Sequence, residues 1–125
     1  MVVLDASAVL ALLNQEAGAE MVEPLLDEAV ISAVNLSEVA GKLIDRGLTQ
    51  ADVRAALDSL QLDVRPFDSD HAYRAAGLRA VVPKDFALGD RACLALASAL
   101  QVEAFTADRE WRRLQLPDIL VTVIR

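Results

Sequence analysis

The sequence holds one cysteine, one histidine, five glycines and few aromatic residues, and each scarcity removes a class of chemistry. Cys93 can form no disulfide within the chain and no thiolate metal site, so it is expected to serve as a small apolar residue inside "RACLALASAL". With His71 alone and no cysteine cluster, a zinc centre is disfavoured. The glycines are scattered and build neither a phosphate-binding loop nor a GxGxxG turn, which argues against a nucleotide-binding fold. No stretch reaches the ~18 uncharged apolar residues needed to cross a bilayer. The start, "MVVLDAS", lacks the basic and apolar regions of a signal peptide. A cytoplasmic protein without membrane contact is expected. Proline, serine and glutamine tracts, linkers and internal repeats are also missing. With 125 residues, 54% of them hydrophobic and 25% charged, residues 1–125 read as one folded domain with a substantial core.

Positive charge is in short supply too. Twelve Lys and Arg against nineteen Asp and Glu leave a net charge of −7, which opposes broad electrostatic attachment to nucleic acid. That balance leaves room for a local basic rim, and it suits a protein that gathers carboxylates around a cation.

What the chain does contain is an alternation of short apolar runs and helical patterns. Strands are expected at 2–4, 29–32, 62–67, 102–108 and 119–124, the third at a sheet edge because of Pro66. Helices are expected at 6–15, at 18–29 with a kink or late start at Pro24, at 35–47 closed by Gly47, at 48–60 capped by Thr49, at 68–82, at 90–101 and at 109–114. The run at 90–101 is the most apolar and should be the most buried. Strands alternating with helices imply parallel βαβ units, hence an α/β sandwich around a mostly parallel sheet.

Four acids stand where strands end and helices begin. Asp5 follows the first strand at a helix N-cap position, Glu38 lies three residues after Asn35 in the pattern of a capping box, Asp90 opens the buried helix, and Asp108 precedes "REWRRL". Capping accounts for each acid singly. In a parallel sheet, however, the carboxyl ends of the strands share one rim with the starts of the following helices, so all four acids should gather there. Capping does not predict that gathering, and close carboxylates repel unless protonated or neutralised by a cation. Oxygen ligands in that number suit Mg²⁺, with Mn²⁺ as the alternative, and such an ion can activate water against a phosphodiester. Ser7 and Thr106, each two residues from an acid, are candidates to hydrogen-bond a ligand carboxylate or a metal-bound water.

"VVLDASAVLALL", "ISAVNLSEV", "GDRACLALASAL" and "FTADREW" occur in an order and spacing that resembles the PIN-domain ribonucleases, and closely the VapC toxins of bacterial type II toxin–antitoxin systems. The resemblance spans essentially the whole chain, and it rests on the ordered set of motifs, each of which is weak alone. It implies a PIN-like three-layer α/β/α sandwich. It also implies an acidic Mg²⁺ site of Asp5, Glu38, Asp90 and Asp108, endoribonuclease activity on structured RNA, a cognate antitoxin that silences it, and a homodimer. The four acidic positions show no departure from the pattern. A PIN-domain RNA-processing nuclease without a toxin role is the alternative that the resemblance leaves open.

A site built of acids needs cations nearby to receive RNA. Arg91 and Arg109 directly follow two of the proposed ligands, and Arg112 and Arg113 share the helix after Asp108. Trp111, beside them, fits the core better than a base-stacking role. Asp85 is a candidate outer carboxylate, though a solvent-exposed loop acid is the simpler reading. His71 in "DSDH" has Ser and Asp only as chain neighbours, which is not the spatial arrangement of a triad. The apolar stretches 22–30 and 75–83 are candidate partner contacts. A metal-dependent phosphatase on another α/β fold is the competing enzyme. A haloacid dehalogenase-like phosphatase would need Asp at the position of Ser7, and a receiver domain would need an acidic pair after the first strand, where Asp5 stands alone.

Overall fold

A computed structural model describes all 125 residues. Five strands, β1 (Val2–Leu4), β2 (Ala29–Ser32), β3 (Asp63–Arg65), β4 (Ala104–Thr106) and β5 (Val121–Val123), form one sheet in the order β3-β2-β1-β4-β5. Every pairing is parallel, with Val2 opposite Ala29 and Val3 opposite Ala104. Six helices accompany it: α1 (Ala6–Leu13), α2 (Ala19–Val22), α3 (Ala33–Asp45), α4 (Gln50–Ser59), α5 (Ser69–Gly77) and α6 (Leu88–Leu100).

Alternation along the strands assigns the layers. Val2, Leu4, Ala29, Ile31 and Phe105 face a core shared with α1 to α4, while Val3, Val30 and Ala104 face the other way onto α6 and Trp111. Helices on both faces of a parallel sheet make the three-layer α/β/α sandwich, with the expected edge position for β3. The sequence runs outward from β1 to β2 and β3, then returns to the opposite side of β1 as β4. The order of winding therefore reverses between β1 and β4, the position at which a crevice forms beyond the carboxyl ends of parallel strands.

Several element boundaries differ from those expected. Residues 18–29 form only the short α2 and then a 3-10 turn at Glu23–Glu28, because Pro24 has no N–H to continue the α ladder. Helix α3 starts at Ala33, capped by Ser32 accepting from the Val34 N–H at 3.2 Å, so Asn35 is inside the helix and is not a cap. Gly47, at φ +101°, lies two residues beyond the end of α3 in the conformation that favours glycine. The 68–82 helix stops at Gly77 and finishes as a 3-10 turn, and 109–114 is a 3-10 turn at Arg109–Arg113 throughout. Helix α6 begins at Leu88, which puts Asp90 in its first turn rather than at its cap.

Candidate active site

Asp5 leaves β1 in extended backbone and caps α1, its Oδ1 accepting the Ala8 N–H at 2.9 Å. Two hydroxyls hold the rest of the carboxylate: Ser7 Oγ donates to Oδ1 at 2.8 Å and Thr106 Oγ1 donates to Oδ2 at 2.6 Å. The same hydroxyl oxygens accept backbone N–H groups from the far side of the crevice, Ser7 from Ala107 at 2.9 Å and Thr106 from Asp108 at 3.0 Å. The turn after β1 and the end of β4 are thus stitched through one carboxylate. Asp5 is only 4% exposed, and burial raises its pKa from 3.8 to about 6. The bonds from Thr106, Ala8 and Ser7 pull that value down, and the charge of Asp90 pushes it up.

Glu38 and Asp90 are brought together by contacts between α3 and α6. The Asn35 side chain is buried and its Nδ2 donates twice, to Glu38 Oε1 at 2.9 Å and to the Gly89 carbonyl at 2.9 Å. A Cβ at position 89 would overlap the Glu38 carboxylate, so only glycine lets that group lie against the first turn of α6. Asp90, next in the chain, accepts the Ala87 N–H through Oδ2 at 2.9 Å. Glu38 is an exposed residue by its whole surface, yet its carboxyl end is partly covered, and this desolvation is the main reason its pKa is raised. The Asn35 bond opposes that rise and the charge of Asp90 adds to it. Asp90 is likewise raised by desolvation, lowered by the Ala87 N–H and raised again by Asp108. Beneath them the fully buried Cys93 thiol is pushed well up, first by burial and then by the charges of Asp5, Asp90 and Glu38. The charges of Asp5, Asp90 and Glu38 are thus all felt at this thiol, and Asp108 is linked to them through Asp90 and Thr106.

Asp108 caps the last 3-10 turn, its Oδ1 accepting the Glu110 N–H at 2.9 Å. Arg109 and Arg112 are exposed and each donates to the Arg125 backbone oxygen, at 3.3 and 3.0 Å. Arg91 is half-buried and donates to the Ala75 carbonyl at 3.1 Å, tying α6 to α5. Arg113 is paired with Asp85 at 2.8 Å and Glu110 at 2.9 Å and lies over the Phe86 ring. Trp111 is buried in the core against Phe86. His71 takes part in the Asp68 cap of α5 through its backbone N–H and packs edge-on against Phe67.

The donor set fits a hard divalent cation: four carboxylates, none in an ion pair with Lys or Arg, all such pairs lying elsewhere. As the side chains stand, no three of them close on a common point. Mg²⁺ does not require that, because it keeps several waters and takes one or two carboxylates besides substrate oxygens. Two residues of the site were not singled out as functional from sequence, Asn35 and Gly89. Asn35 did carry a signal in its three-residue spacing to Glu38, and Gly89 in its place directly before Asp90.

The family model for the PIN domain matches residues 2–116. No curated protein matches the sequence significantly. Among solved structures, the fold is similar to that of a chain in DNA-bound VapBC from Salmonella typhimurium (TM-score 0.75, 18% identity, covering 99% of this chain and 98% of that one). It is also similar to a chain in VapBC2 from Rickettsia felis bound to a DNA fragment from their promoter (0.73, 17%, 98% of each). A third is in VapBC-1 from nontypeable Haemophilus influenzae (0.72, 18%, 98% of each). With a family match over nearly its whole length and the corresponding fold, this chain belongs to the PIN-domain family.

Proposed function

We propose that the chain is a divalent-metal-dependent endoribonuclease, the toxin of a VapC-type toxin–antitoxin pair. The observation that carries the nuclease reading is the placement of four carboxylates along one rim of the sheet, Asp5 and Asp108 joined through Thr106 and Glu38 joined through Asn35 to the residue before Asp90, with no Lys or Arg side chain paired to any of them. A gathering of that kind costs stability and is explained by a cation it is built to hold. The PIN-domain match supports the class of reaction, and the fold removes the reason for a phosphatase on another α/β architecture.

In this reading Asp5, Asp90 and Asp108 hold Mg²⁺, or Mn²⁺ in its place, with Glu38 completing the set. The ion supplies a polarised water and stabilises charge on the phosphate. Ser7 and Thr106 hold the Asp5 carboxylate in one orientation, and Thr106 aligns the backbone that presents Asp108. Glu38 would either complete the shell of that ion or orient the attacking water by accepting a hydrogen bond from it. Arg109 and Arg112, exposed beside Asp108, have N–H groups left for RNA phosphates, whereas Arg91 contributes by holding α5 against α6 and Arg113 must exchange Asp85 for a phosphate.

The solved structures of similar fold are described as VapBC or toxin–antitoxin complexes, which supports an antitoxin as partner. An apolar cleft between α3 and α4, lined by Leu36, Ala40, Ile44, Val53 and Leu57, is a further candidate contact for such a partner beside the stretches 22–30 and 75–83. Homodimerisation is part of the same proposal. No helix is long and apolar enough to cross a membrane.

The test is cleavage of total cellular RNA by purified protein, with Mg²⁺, with EDTA and with Asp5→Asn, the cut ends being sequenced. A few discrete cuts that vanish in both controls support the reading and identify the RNA. Cuts that persist in Asp5→Asn contradict it. Cutting without growth arrest on expression would support a PIN nuclease of RNA processing in place of a toxin.

A further inference from the structure

Asn35 lies in the first turn of α3, 1% exposed, and both hydrogens of its amide point at acceptors: Glu38 Oε1 on its own helix and the Gly89 carbonyl on α6. Its orientation is dictated by chemistry. Turned over, the amide would press its oxygen against a carboxylate oxygen and a backbone oxygen, neither of which donates. The amide oxygen, Oδ1, is buried and has no partner, a cost that a structural residue at a helix crossing need not carry. Gly89, whose missing side chain makes room for Glu38, is the residue before Asp90. The Asn35 bridge therefore runs from one acid, through 54 residues of sequence separation, to the backbone that carries the next.

We propose that Asn35 is a positioning residue of the active site, a double donor that fixes the Glu38 carboxylate against Gly89 and so sets its placement beside Asp90. The proposal rests on the nuclease reading for its catalytic meaning, but its structural content is independent of which RNA is cut. Without the bridge, Glu38 is a flexible side chain at the surface, and α3 and α6 lose the side-chain bond that registers them at the crevice. Held, Glu38 meets the ion or its water in one orientation. Its placement is then tied through the Asn35 amide to the Gly89 carbonyl, on the backbone that carries Asp90.

The experiment compares Mg²⁺ affinity, by calorimetry, and RNA cleavage for wild type, Asn35→Leu and Asn35→Thr. Leucine keeps the volume and removes both donors; threonine keeps one hydroxyl donor. Asn35→Leu is expected to weaken Mg²⁺ binding or lower kcat by about 10- to 100-fold while KM for RNA stays within about twofold, the size seen when groups that orient metal ligands are lost. Asn35→Thr should fall between. The loss must act through Glu38, so adding Asn35→Leu to Glu38→Ala should leave Mg²⁺ affinity where Glu38→Ala alone puts it. Folded Asn35→Leu with wild-type Mg²⁺ affinity and kcat overturns the proposal, as does an undiminished effect in the Glu38→Ala background. If Asn35→Leu does not fold, Asn35→Thr and its Glu38→Ala double variant decide in the same way. Mg²⁺ affinities that obey this pattern in a protein that cuts no RNA would uphold the positioning role and reject the nuclease.

Discussion

Moving a carboxylate from water into a protein interior favours its protonated form, and Asp5 shows how far local bonds can offset that. Three donors hold its oxygens, yet its pKa still stands at about 6, against 3.8 in water, because burial outweighs them. The native state therefore binds this proton more tightly than the unfolded chain does. For this group, stability is greatest at low pH, falls as pH rises from 3.8 to about 6, and is level above that. The difference corresponds to about 3 kcal/mol at neutral pH, at ~1.4 kcal/mol per pH unit. Asp5→Asn keeps the shape and removes the buried charge, so metal-free Asp5→Asn should be more stable than wild type at pH 7 by up to ~3 kcal/mol in denaturant titration, with the gap closing toward pH 4. An Asp5→Asn protein less stable than wild type at both pH values would mean that the hydrogen bonds of Asp5, rather than its desolvation, dominate. The position of this acid was legible in sequence because a strand end followed by small helix-forming residues is both a cap and a rim position. The parts played by Asn35 and Gly89 were not, since a first-turn amide and a helix-opening glycine acquire meaning only when α3 and α6 are seen to meet.

At the scale of elements, the crevice depends on the join between the β1–α1 turn and β4. Thr106 is the hinge pin of that join: fully buried, donating to Asp5 and accepting from Asp108. Thr106→Val keeps the volume but leaves Asp5 short of a donor and the Asp108 N–H short of an acceptor. Its expected cost is ~1–3 kcal/mol in chemical denaturation, with loss of metal binding, whereas Thr106→Ser should retain most of both. A Thr106→Val protein as stable as wild type would show that the join is held by the sheet alone. Strand and helix positions were largely legible, because apolar period and capping residues are local signals. Boundaries shifted where local chemistry was misread. Ser32 supplied the α3 cap that Asn35 was expected to give, and Pro24 and the short runs at 78–80 and 109–113 tightened expected helices into 3-10 turns.

For the whole molecule, the decisive feature is strand order. Parallel pairing was legible from the alternation of elements, but the sequence β3-β2-β1-β4-β5 was not, because it is set by long-range packing. That order places the direction change between β1 and β4 and so brings Asp5 beside Asp108 across a hundred residues of chain. A cation bound in the resulting crevice binds the folded state alone, so it must stabilise the entire domain. At ~100-fold excess over its dissociation constant, Mg²⁺ should add ~2.7 kcal/mol. The one tryptophan, Trp111, buried next to this rim, makes the transition readable by fluorescence. EDTA should abolish the shift, and Asp90→Asn should show none. An equal Mg²⁺ shift in Asp90→Asn would place the ion elsewhere.

The most direct measurement is anomalous diffraction from crystals of the protein soaked in Mn²⁺. An anomalous peak is expected in the crevice, coordinated by carboxylate oxygens from among Asp5, Glu38, Asp90 and Asp108 and by water, and it should disappear in Asp5→Asn. Well-ordered crystals with no peak there, or with manganese bound only at other carboxylates, would contradict it.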